Sequence, residues 1–230
     1  YDYIAGDLAQ RDPDLAAGRV VVAHLGNGAS ACAIKAGQSV ASTMGFSAID
    51  GLPMGTRTGS IDAGVVLHCL NHLKMDAKQI EDLLYKKSGL LGMSGISSDM
   101  RDLHASTDPR AKLAVDFFSH RITREAASLA AAMEGFDSLV FTAGIGENDD
   151  IVRADVCKQL EWLGVEIDQP GSSTSELNWS HHDRLGSIIS ISDSSGNLKF
   201  VVDGCKIYNI KGEVMTNGDS LSFGEEWQID

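Results

Sequence analysis

The chain has 230 residues, of which 43% are hydrophobic, and its formal net charge is −13. This length suits one large α/β domain, or one domain plus an appendage, with a real buried core. No apolar run approaches the roughly 18 residues of a transmembrane helix. Lys and Arg do not cluster as nucleic-acid binding requires. We therefore expect neither a membrane nor a nucleic acid as a partner.

The cysteines form no pair with CxxC or zinc-site spacing, since Cys32, Cys69, Cys157 and Cys205 are far apart in the chain. Reduced thiols are the simplest interpretation, and they predict a cytoplasmic protein. The chain begins at Tyr1 without a signal peptide and inside a helix-like segment, which suggests a fragment or a processed product.

The first third of the chain predicts a helical segment and then a three-stranded meander at the edge of an α/β domain. The helical segment, residues 2–17, is broken at Asp12-Pro13-Asp14. Strands are predicted over Arg19–Leu25 and Ala29–Lys35, and Ser39–Thr43 can pair back onto the second. Asn27-Gly28 between the first two strands predicts a type I′ turn, which needs positive φ at both residues.

Two glycine-rich loops are predicted next, at Met44–Gly59 and Leu90–Arg101. A long ordered loop inside a compact domain is usually functional. Helices are predicted between the loops, one over Asp62–Leu73 and one that begins at Asp76 as N-cap and ends at Ser88-Gly89.

A long helix should follow from Asp108 as N-cap and Pro109 at N1, and should end near Met133. Ser138–Thr142 is predicted as a buried strand, Ala143–Asn148 as a glycine loop and Asp149–Leu163 as a helix. Strand, glycine loop and helix in this order bring backbone N–H groups and a positive helix end to one point.

Beyond Gln169 the pattern changes to short strands. They are predicted at Gly186–Ser192 and Leu198–Val202, and Cys205–Asp230 is predicted to be hairpin-like. Before this change, Val165–Asp168 is also predicted as a short strand. The adjacent His181-His182 pair is interpreted as a solvated turn, because neighbouring histidines on a loop point to different sides.

The strongest candidate site is a phosphate site built from two segments. Gly26-Asn27-Gly28 would let a phosphate approach backbone amides, although the same turn could be only a hairpin. Arg57 lies between Gly55 and Gly59, and Arg suits bidentate binding of phosphoryl oxygens, although it could instead cap a carbonyl. His24 could donate to a transferring group or could be a core histidine.

A nucleotide site is the next hypothesis. Gly144-Ile145-Gly146 lacks the third glycine of the dinucleotide fingerprint, because that position is Asp149. No G-x-x-x-x-G-K-[ST] sequence exists, which excludes a P-loop enzyme. A nucleotide site made from two glycine loops remains. Ser97–Arg101 is either a helix-capping turn or the border of that pocket.

Four segments together resemble the signatures of the acetate kinase family, in order and spacing. They are HLGNGAS (24–30), MGFSAIDGLPMGTRTGSID (44–62), SGLLGMSGISSDMR (88–101) and FTAGIGEN (141–148). The resemblance is good over residues 7–164, weakens through Ser192 and ends near Val202. The usual Pro after Ile-Asp is Ala63 here.

The resemblance implies ATP-dependent phosphoryl transfer to acetate, which gives acetyl phosphate and ADP, with Mg²⁺ as cofactor and a homodimeric complete enzyme. The implied fold is a ribonuclease-H-like α/β domain of the sugar kinase, heat-shock and actin superfamily. Arg57 and His24 would be catalytic. The nucleotide would contact His24, Leu25, Gly26, Asn27, Gly28, Asp99, Met100, Arg101, Gly144, Ile145, Gly146, Glu147 and Asn148.

The chain also departs from the family pattern. The family's N-terminal domain, with its acetate-side groups, is absent from these 230 residues. The family's C-terminal Mg²⁺-binding acid has no direct counterpart, and Glu225 in GEEWQI is a displaced candidate. We therefore divide the chain into a nucleotide-binding domain, residues 1–202, and an atypical β-hairpin-like tail, residues 203–230. A truncated, inactive nucleotide- or partner-binding module and a propionate or butyrate kinase remain alternatives.

Overall fold

The structure is a computed structural model that describes residues 1–165 and the backbone of three later strands at 188–192, 198–203 and 206–209. Predictions for the strand at 166–168, for His181-His182, for Cys205 and for Glu225 lie outside the described residues. In the described part the elements are α1 (Asp2–Arg11), α2 (Pro13–Ala16), β1 (Arg19–Leu25), β2 (Ala29–Lys35), β3 (Gln38–Ser42), α3 (Ala63–Asn71), α4 (Ala77–Lys86), α5 (Gly89–Ser94), α6 (Met100–Ala105), α7 (Pro109–Ala132), β4 (Ser138–Thr142), α8 (Ala143–Asn148), α9 (Asp150–Gln159), a 3₁₀ turn (Glu161–Leu163), β5 (Ile188–Ser192), β6 (Leu198–Asp203) and β7 (Lys206–Asn209).

The main sheet has the strand order β3-β2-β1-β4. β1 and β2 form an antiparallel hairpin, while β1 and β4 are parallel, with Val20 opposite Ser138 and His24 opposite Thr142. Because parallel strands end at the same edge of a sheet, the residues that follow β1 and β4 lie side by side. A separate antiparallel sheet has the order β5-β6-β7.

β1 is buried on both faces, which explains its uninterrupted apolar run. Val21, Ala23 and Leu25 belong to the larger core, which includes the inner side of α7. Val20 and Val22 face a smaller cluster that α1 and α2 cover. The stretch that is buried on both sides, Val20–Ala23, is apolar at every position, as in parallel sheets generally.

The predicted N-caps Asp76 and Asp108 are confirmed, and Asp62 caps its helix in the same way. Each carboxylate accepts a hydrogen bond from a backbone N–H of the first turn. At Asp76 the cap is reciprocal, because the Gln79 side chain accepts from the Asp76 N–H at 2.8 Å. These caps are local signals, and neighbouring residues satisfy them.

The predicted type I′ turn at Asn27-Gly28 is wrong, since neither residue has a positive φ. The last strand pair is Leu25 with Ala29, which leaves a three-residue loop whose Asn27 carbonyl accepts from the Gly55 N–H at 3.0 Å. Contact with a distant loop therefore sets this turn. Positive φ at two successive residues occurs one hairpin later, at Ala36 (49°) and Gly37 (74°).

Two predicted glycine loops are wrong, and one predicted helix is confirmed but ends early. The loop predicted at Leu90–Arg101 contains α5 and the start of α6. The predicted end of the preceding helix is confirmed, since α4 stops at Lys86, just before Ser88-Gly89. Ala143–Asn148 is a short helix and not an open glycine loop. The helix predicted over Asp149–Leu163 is confirmed as α9, with Asp149 as its N-cap, but it ends at Gln159 and is followed by a 3₁₀ turn. Burial of Leu90 and Gly146 shows that packing outweighs glycine content here.

Candidate active site

A cavity of about 290 Å³ opens at the carboxyl end of β1. Its walls come from the β1–β2 hairpin and from the loop at residues 43–62 that contains Arg57. The lining residues are His24, Gly26, Asn27, Gly28, Ala29, Ser30, Met44, Ala48, Asp50, Met54 and Arg57. The structure thus brings the two segments of the predicted phosphate site together.

Arg57 reaches this cavity without a carboxylate partner among the described residues. Its Nη1 donates to the Ala48 carbonyl at 3.2 Å and lies 3.7 Å from the Met54 sulfur. Asp50 lines the same cavity, but one of its carboxylate oxygens accepts from the Ser60 hydroxyl and the Gly51 N–H, each at 2.8 Å. A half-buried guanidinium bound mainly to neutral groups keeps its charge available for an anion.

The hairpin loop lies directly beside this cation. A Cβ added to Gly28 would be 3.6 Å from Arg57 Nη1. The Gly26 N–H donates to the Gly28 carbonyl at 2.9 Å, so this amide is used inside the loop. The amides of Asn27 and Gly28 are not donors to backbone carbonyls in the described loops and turns, which leaves them for a ligand.

His24 is exposed at the cavity wall, and its Nδ1 lies 3.2 Å from Thr142 Oγ1. The parallel register places these two residues opposite each other at the ends of β1 and β4. Within residues 1–165, Nε2 makes no hydrogen bond. Thr142 therefore fixes the ring through one nitrogen while the other faces no protein partner.

The loop that carries Arg57 is fastened from behind by α4 and α5. The Thr56 hydroxyl donates to the Tyr85 carbonyl at 2.8 Å, and the Ser88 N–H donates to the Thr56 carbonyl at 2.9 Å. The Leu91 N–H donates to the Gly55 carbonyl at 3.0 Å. Arg57 therefore projects from a backbone that is bonded on both sides, which favours a fixed position for its charge.

Gly55 is the contact point of three segments. Its N–H donates to the Asn27 carbonyl, and an added Cβ would collide with the Asn27 side-chain oxygen. The same Cβ would be 3.2 Å from the Ser98 carbonyl, immediately before Asp99. A side chain at this position would first displace the exposed Asn27 side chain and would also press on the Ser98 carbonyl.

Asp99, Met100 and Arg101 form the first turn of α6. Asp99 caps the helix by accepting from the Arg101 N–H at 2.9 Å, and the Arg101 guanidinium binds the same carboxylate at 2.6 Å. The hydrogen bond from Arg101 lowers the pKa of Asp99 to about 2. The Arg101 side chain is exposed and Asp99 is partly buried, whereas the Met100 side chain is buried in the main core.

α8 lies beside the hairpin loop, since an added Cβ on Gly26 would be 3.6 Å from the Ala143 Cβ. The Ala143 N–H donates to the Glu147 carboxylate at 2.9 Å, and the Asn148 amide donates to the Gly144 carbonyl at 2.8 Å. The buried Arg153 of α9 donates to the Gly146 and Glu147 carbonyls at 3.0 and 2.8 Å. Burial lowers the pKa of Arg153.

The predicted site residues therefore fall into two groups. His24, Gly26–Gly28 and Arg57 line one cavity, while Leu25 is buried beneath it. Asp99–Arg101 and Gly144–Asn148 adjoin it through Gly55 and Gly26 but do not line it. The described residues contain no group of three or more His, Cys, Asp or Glu side chains that could hold a metal ion.

Sequence reasoning missed the polar residues that support these groups. Thr142 could have been found from the parallel pairing of β1 and β4, since both strands end at this edge. Asp50 and Ser60 were hidden inside a loop without periodicity. His104, whose Nε2 lies 2.8 Å from a carboxylate oxygen of Asp149, gives no signal in the sequence.

Among the described residues no helix is both long and apolar enough to cross a membrane. All three cysteines in that part of the chain, Cys32, Cys69 and Cys157, are free and buried. Burial raises the pKa of the Cys157 thiol to about 11, so this group is an unreactive core residue at neutral pH.

The chain is similar in sequence to known acetate kinases. The chain is 55% identical over 173 residues to an acetate kinase of Nitrobacter hamburgensis (75% of this chain, 43% of the relative). It is 51% identical over 199 residues to an acetate kinase of Methylocella silvestris (86% and 49%). The chain thus spans about half the length of the curated relatives it matches.

Solved structures share the fold. The Porphyromonas gingivalis acetate kinase superposes with a TM-score of 0.71 at 36% identity over 86% of this chain and 48% of that one. The Entamoeba histolytica acetate kinase superposes with a TM-score of 0.73 at 30% identity, and the match covers 86% of this chain and 51% of that one. A propionate kinase of Francisella tularensis superposes with a TM-score of 0.66 at 39% identity, and the match covers 70% of this chain and 42% of that one.

These likenesses confirm the predicted mixed α/β fold of the sugar kinase and actin type. A sequence model described as the Acetokinase family matches residues 2–202. That span contains the cavity, the arginine loop, α6 and α8. The chain therefore belongs to the acetokinase family.

Proposed function

We propose that this chain provides the nucleotide-binding part of an enzyme that transfers a phosphoryl group reversibly between ATP and acetate. One observation carries the proposal, namely the Arg57 guanidinium in a cavity with the hairpin loop and His24, without a carboxylate partner among the described residues. The acetokinase match and the relatives named acetate kinase support acetate as the acceptor.

The chemistry asks this chain mainly to position and neutralise charge. Acetate already carries a nucleophilic oxygen, so no strong base is required. Arg57 would stabilise the negative charge on the phosphoryl group during transfer, and the Nε2 of His24 would donate to the same group. Fixed donors of this kind act without reorganisation, which is why the bonded backbone of the arginine loop matters.

The nucleotide would extend from this cavity toward α6 and α8. His24 to Gly28 would hold the phosphates, Asp99–Arg101 would line the nucleotide site, and Gly144–Asn148 would hold the adenosine end. This arrangement is supported by the contacts of Gly55 with Ser98 and of Gly26 with Ala143, which adjoin the cavity.

Mg²⁺ fits the cavity only as an ion held largely by phosphate oxygens and water, because Asp50 is the carboxylate among the lining residues. Such an ion would neutralise phosphate charge. Glu225 is the further ligand we propose.

We also propose a cytoplasmic location, a homodimer for the complete enzyme, and the division of the chain after residue 202.

A second candidate is a nucleotide- or partner-binding module without activity of its own. The half-length match to the relatives favours it, since the remaining half would supply the acetate-side groups. The likeness to a propionate kinase keeps a longer acid as a lesser candidate for the acceptor.

Two measurements on this chain separate the candidates. Calorimetry should show ADP binding, and its absence would contradict the nucleotide site itself. A hydroxamate assay for acetyl phosphate with ATP, acetate and Mg²⁺ tests turnover. Product formed by this chain alone would reject the inactive module, and propionate or butyrate in place of acetate would identify the acceptor.

Replacing Arg57 gives the sharpest test of the mechanism. In a preparation that turns over acetate, Arg57→Ala should lower kcat by about 10²–10³-fold and leave the ADP affinity within about twofold, because the charge is needed mainly in the transition state. Arg57→Lys is the matched control and should recover only part of kcat, since lysine keeps the positive charge but lacks the planar pair of donors that binds phosphoryl oxygens bidentately. Lost ADP binding with normal kcat would contradict this role.

A further inference from the structure

His104 and Asp149 form a contact that the proposed mechanism does not use. His104 lies in the last turn of α6, and its Nε2 is 2.8 Å from Asp149 Oδ2. Their side chains retain only 23% and 10% of their exposure. A short, mostly buried contact between an imidazole and a carboxylate is stronger than an exposed ion pair.

Asp149 is also a structural junction. Its other carboxylate oxygen accepts from the Val152 N–H at 3.0 Å, so the residue caps α9. Its own N–H donates to the Ile145 carbonyl at 2.9 Å and closes the end of α8. Asp149 thus joins α8 to α9 through the backbone and to α6 through His104.

Arg153 completes this connection one turn later. Its guanidinium donates to the Gly146 and Glu147 carbonyls, so hydrogen bonds from α9 fix the end of α8. In sequence, α6 and α8 are far apart, and α7 runs between them. The His104–Asp149 contact is a direct hydrogen bond between the side that carries Asp99–Arg101 and the side that carries Gly144–Asn148.

We propose that His104 is a positioning residue that sets the separation of α6 and α8 and thereby shapes the adenosine end of the nucleotide site. This inference rests on the proposed function for the assignment of those two segments to the nucleotide. His104 does not touch the phosphate cavity, because it is not among that cavity's lining residues. Its effect should therefore be confined to the adenosine side.

The test compares ligands that share different parts of ADP, using the 230-residue chain. His104→Ala should weaken the binding of ADP and AMP by about tenfold, the scale of one lost charge-assisted hydrogen bond. Binding of inorganic pyrophosphate, which can occupy only the phosphate end, should stay within about twofold. His104→Gln should restore most of the nucleotide affinity, because its amide can donate to Asp149.

His120→Ala is the matched control. His120 is an exposed histidine of α7 whose Nδ1 lies 3.3 Å from Gln159 Oε1 at the far end of α9, and neither residue belongs to the two segments. This variant should bind ADP, AMP and pyrophosphate like the unmodified chain. An equal loss of ADP and AMP affinity in the His104→Ala and His120→Ala variants would overturn the positioning role. The role would also be overturned if His104→Ala weakened the binding of pyrophosphate as much as the binding of AMP.

Hydrogen exchange without nucleotide gives an independent measurement. In His104→Ala, amides of residues 99–105 and 143–149 should exchange faster, while amides of β1 should not change. Unchanged exchange in both segments would overturn the inference. Failure of the unmodified chain to bind ADP would instead overturn the proposed function, and the positioning role would fall with it.

Discussion

At the scale of single residues, the two proposed catalytic groups are held in different ways. Arg57 depends on a backbone that α4 and α5 fasten, whereas His24 depends on one side-chain contact with Thr142. A loop fastened by several hydrogen bonds loses little when one is removed. A ring held through one nitrogen loses its fixed orientation when that partner is removed.

Thr142→Val should therefore release the His24 ring while keeping the shape of the strand. Nitrogen-15 NMR of the histidine rings should show the His24 tautomer equilibrium shift in this variant, because Nδ1 loses its hydroxyl partner. Thr142→Ser, which keeps the hydroxyl, is the control and should give the original spectrum. A valine variant with an unchanged His24 spectrum would mean that Thr142 does not set the ring.

At the scale of elements, Arg19 and Asp137 join the starts of β1 and β4. Asp137 accepts from the Arg19 N–H at 2.8 Å and from the guanidinium at 2.7 Å, and the Asp137 N–H donates to the Arg19 carbonyl at 2.7 Å. The hydrogen bond from Arg19 lowers the pKa of the Asp137 carboxyl. The pair thus fixes the register of the parallel strands that place His24 opposite Thr142.

Asp137→Asn should reduce the free energy of unfolding by about 1–2 kcal/mol at neutral pH, as expected for a partly exposed charged hydrogen bond. Because the folded pKa is depressed, this stabilisation is full above the unfolded pKa near 3.9 and is lost as the pH falls through the folded pKa. Urea unfolding should show the variant and the original chain converging in acid.

Asp116→Asn is the control for this experiment, since Asp116 pairs with Lys112 on the exposed side of α7. That change should stay within about 0.5 kcal/mol. If the free energy of unfolding of Asp137→Asn stayed as far below that of the original chain at the lowest pH as at neutral pH, an electrostatic origin of the stabilisation would be contradicted.

Local signals explain which elements could be predicted from the sequence. β1, β2 and the N-caps at Asp62, Asp76 and Asp108 depend on apolar runs or on residues within one turn. α5 and α8 could not be predicted, because glycine-rich segments become helical here through burial against distant elements. The same holds for the turn at Asn27-Gly28, whose conformation Gly55 sets from another loop.

The candidate site was predictable to a similar extent. Its cavity-lining residues carry motifs, so Arg57 and His24 could be named from the sequence and placed together. Their supports could not, since Thr142 and His104 act through contacts between residues separated by 118 and 45 positions in the chain. Such contacts leave no local pattern.

At the scale of the whole molecule, every segment proposed to hold the nucleotide rests on the core around α7 and β1. α7 contributes ten buried residues, and α5, α6 and α9 pack against it. A ligand that spans the cavity, α6 and α8 therefore contacts several elements of one core. Its binding should stabilise the folded chain as a unit and not one loop alone.

ADP should accordingly raise the thermal midpoint of the chain. At a free ADP concentration about 100 times Kd, binding should raise the free energy of unfolding by about 2.7 kcal/mol. For a protein of this size, that corresponds to a rise in the thermal midpoint of roughly 5–10 °C. Adenosine alone is the control and should give a smaller shift at the same concentration. Calorimetric ADP binding without any rise in the midpoint would show that the ligand binds the unfolded chain equally well.

The absence of a side chain at Gly55 has a consequence for how the site could be altered or transferred. The hairpin, the arginine loop and the entry to α6 meet where this residue has only a hydrogen atom. None of the three segments carries its geometry alone, so a graft of HLGNGAS onto another scaffold would not reproduce the anion pocket. A larger residue at position 55 would have to displace the Asn27 side chain, which lies at the wall of the same pocket.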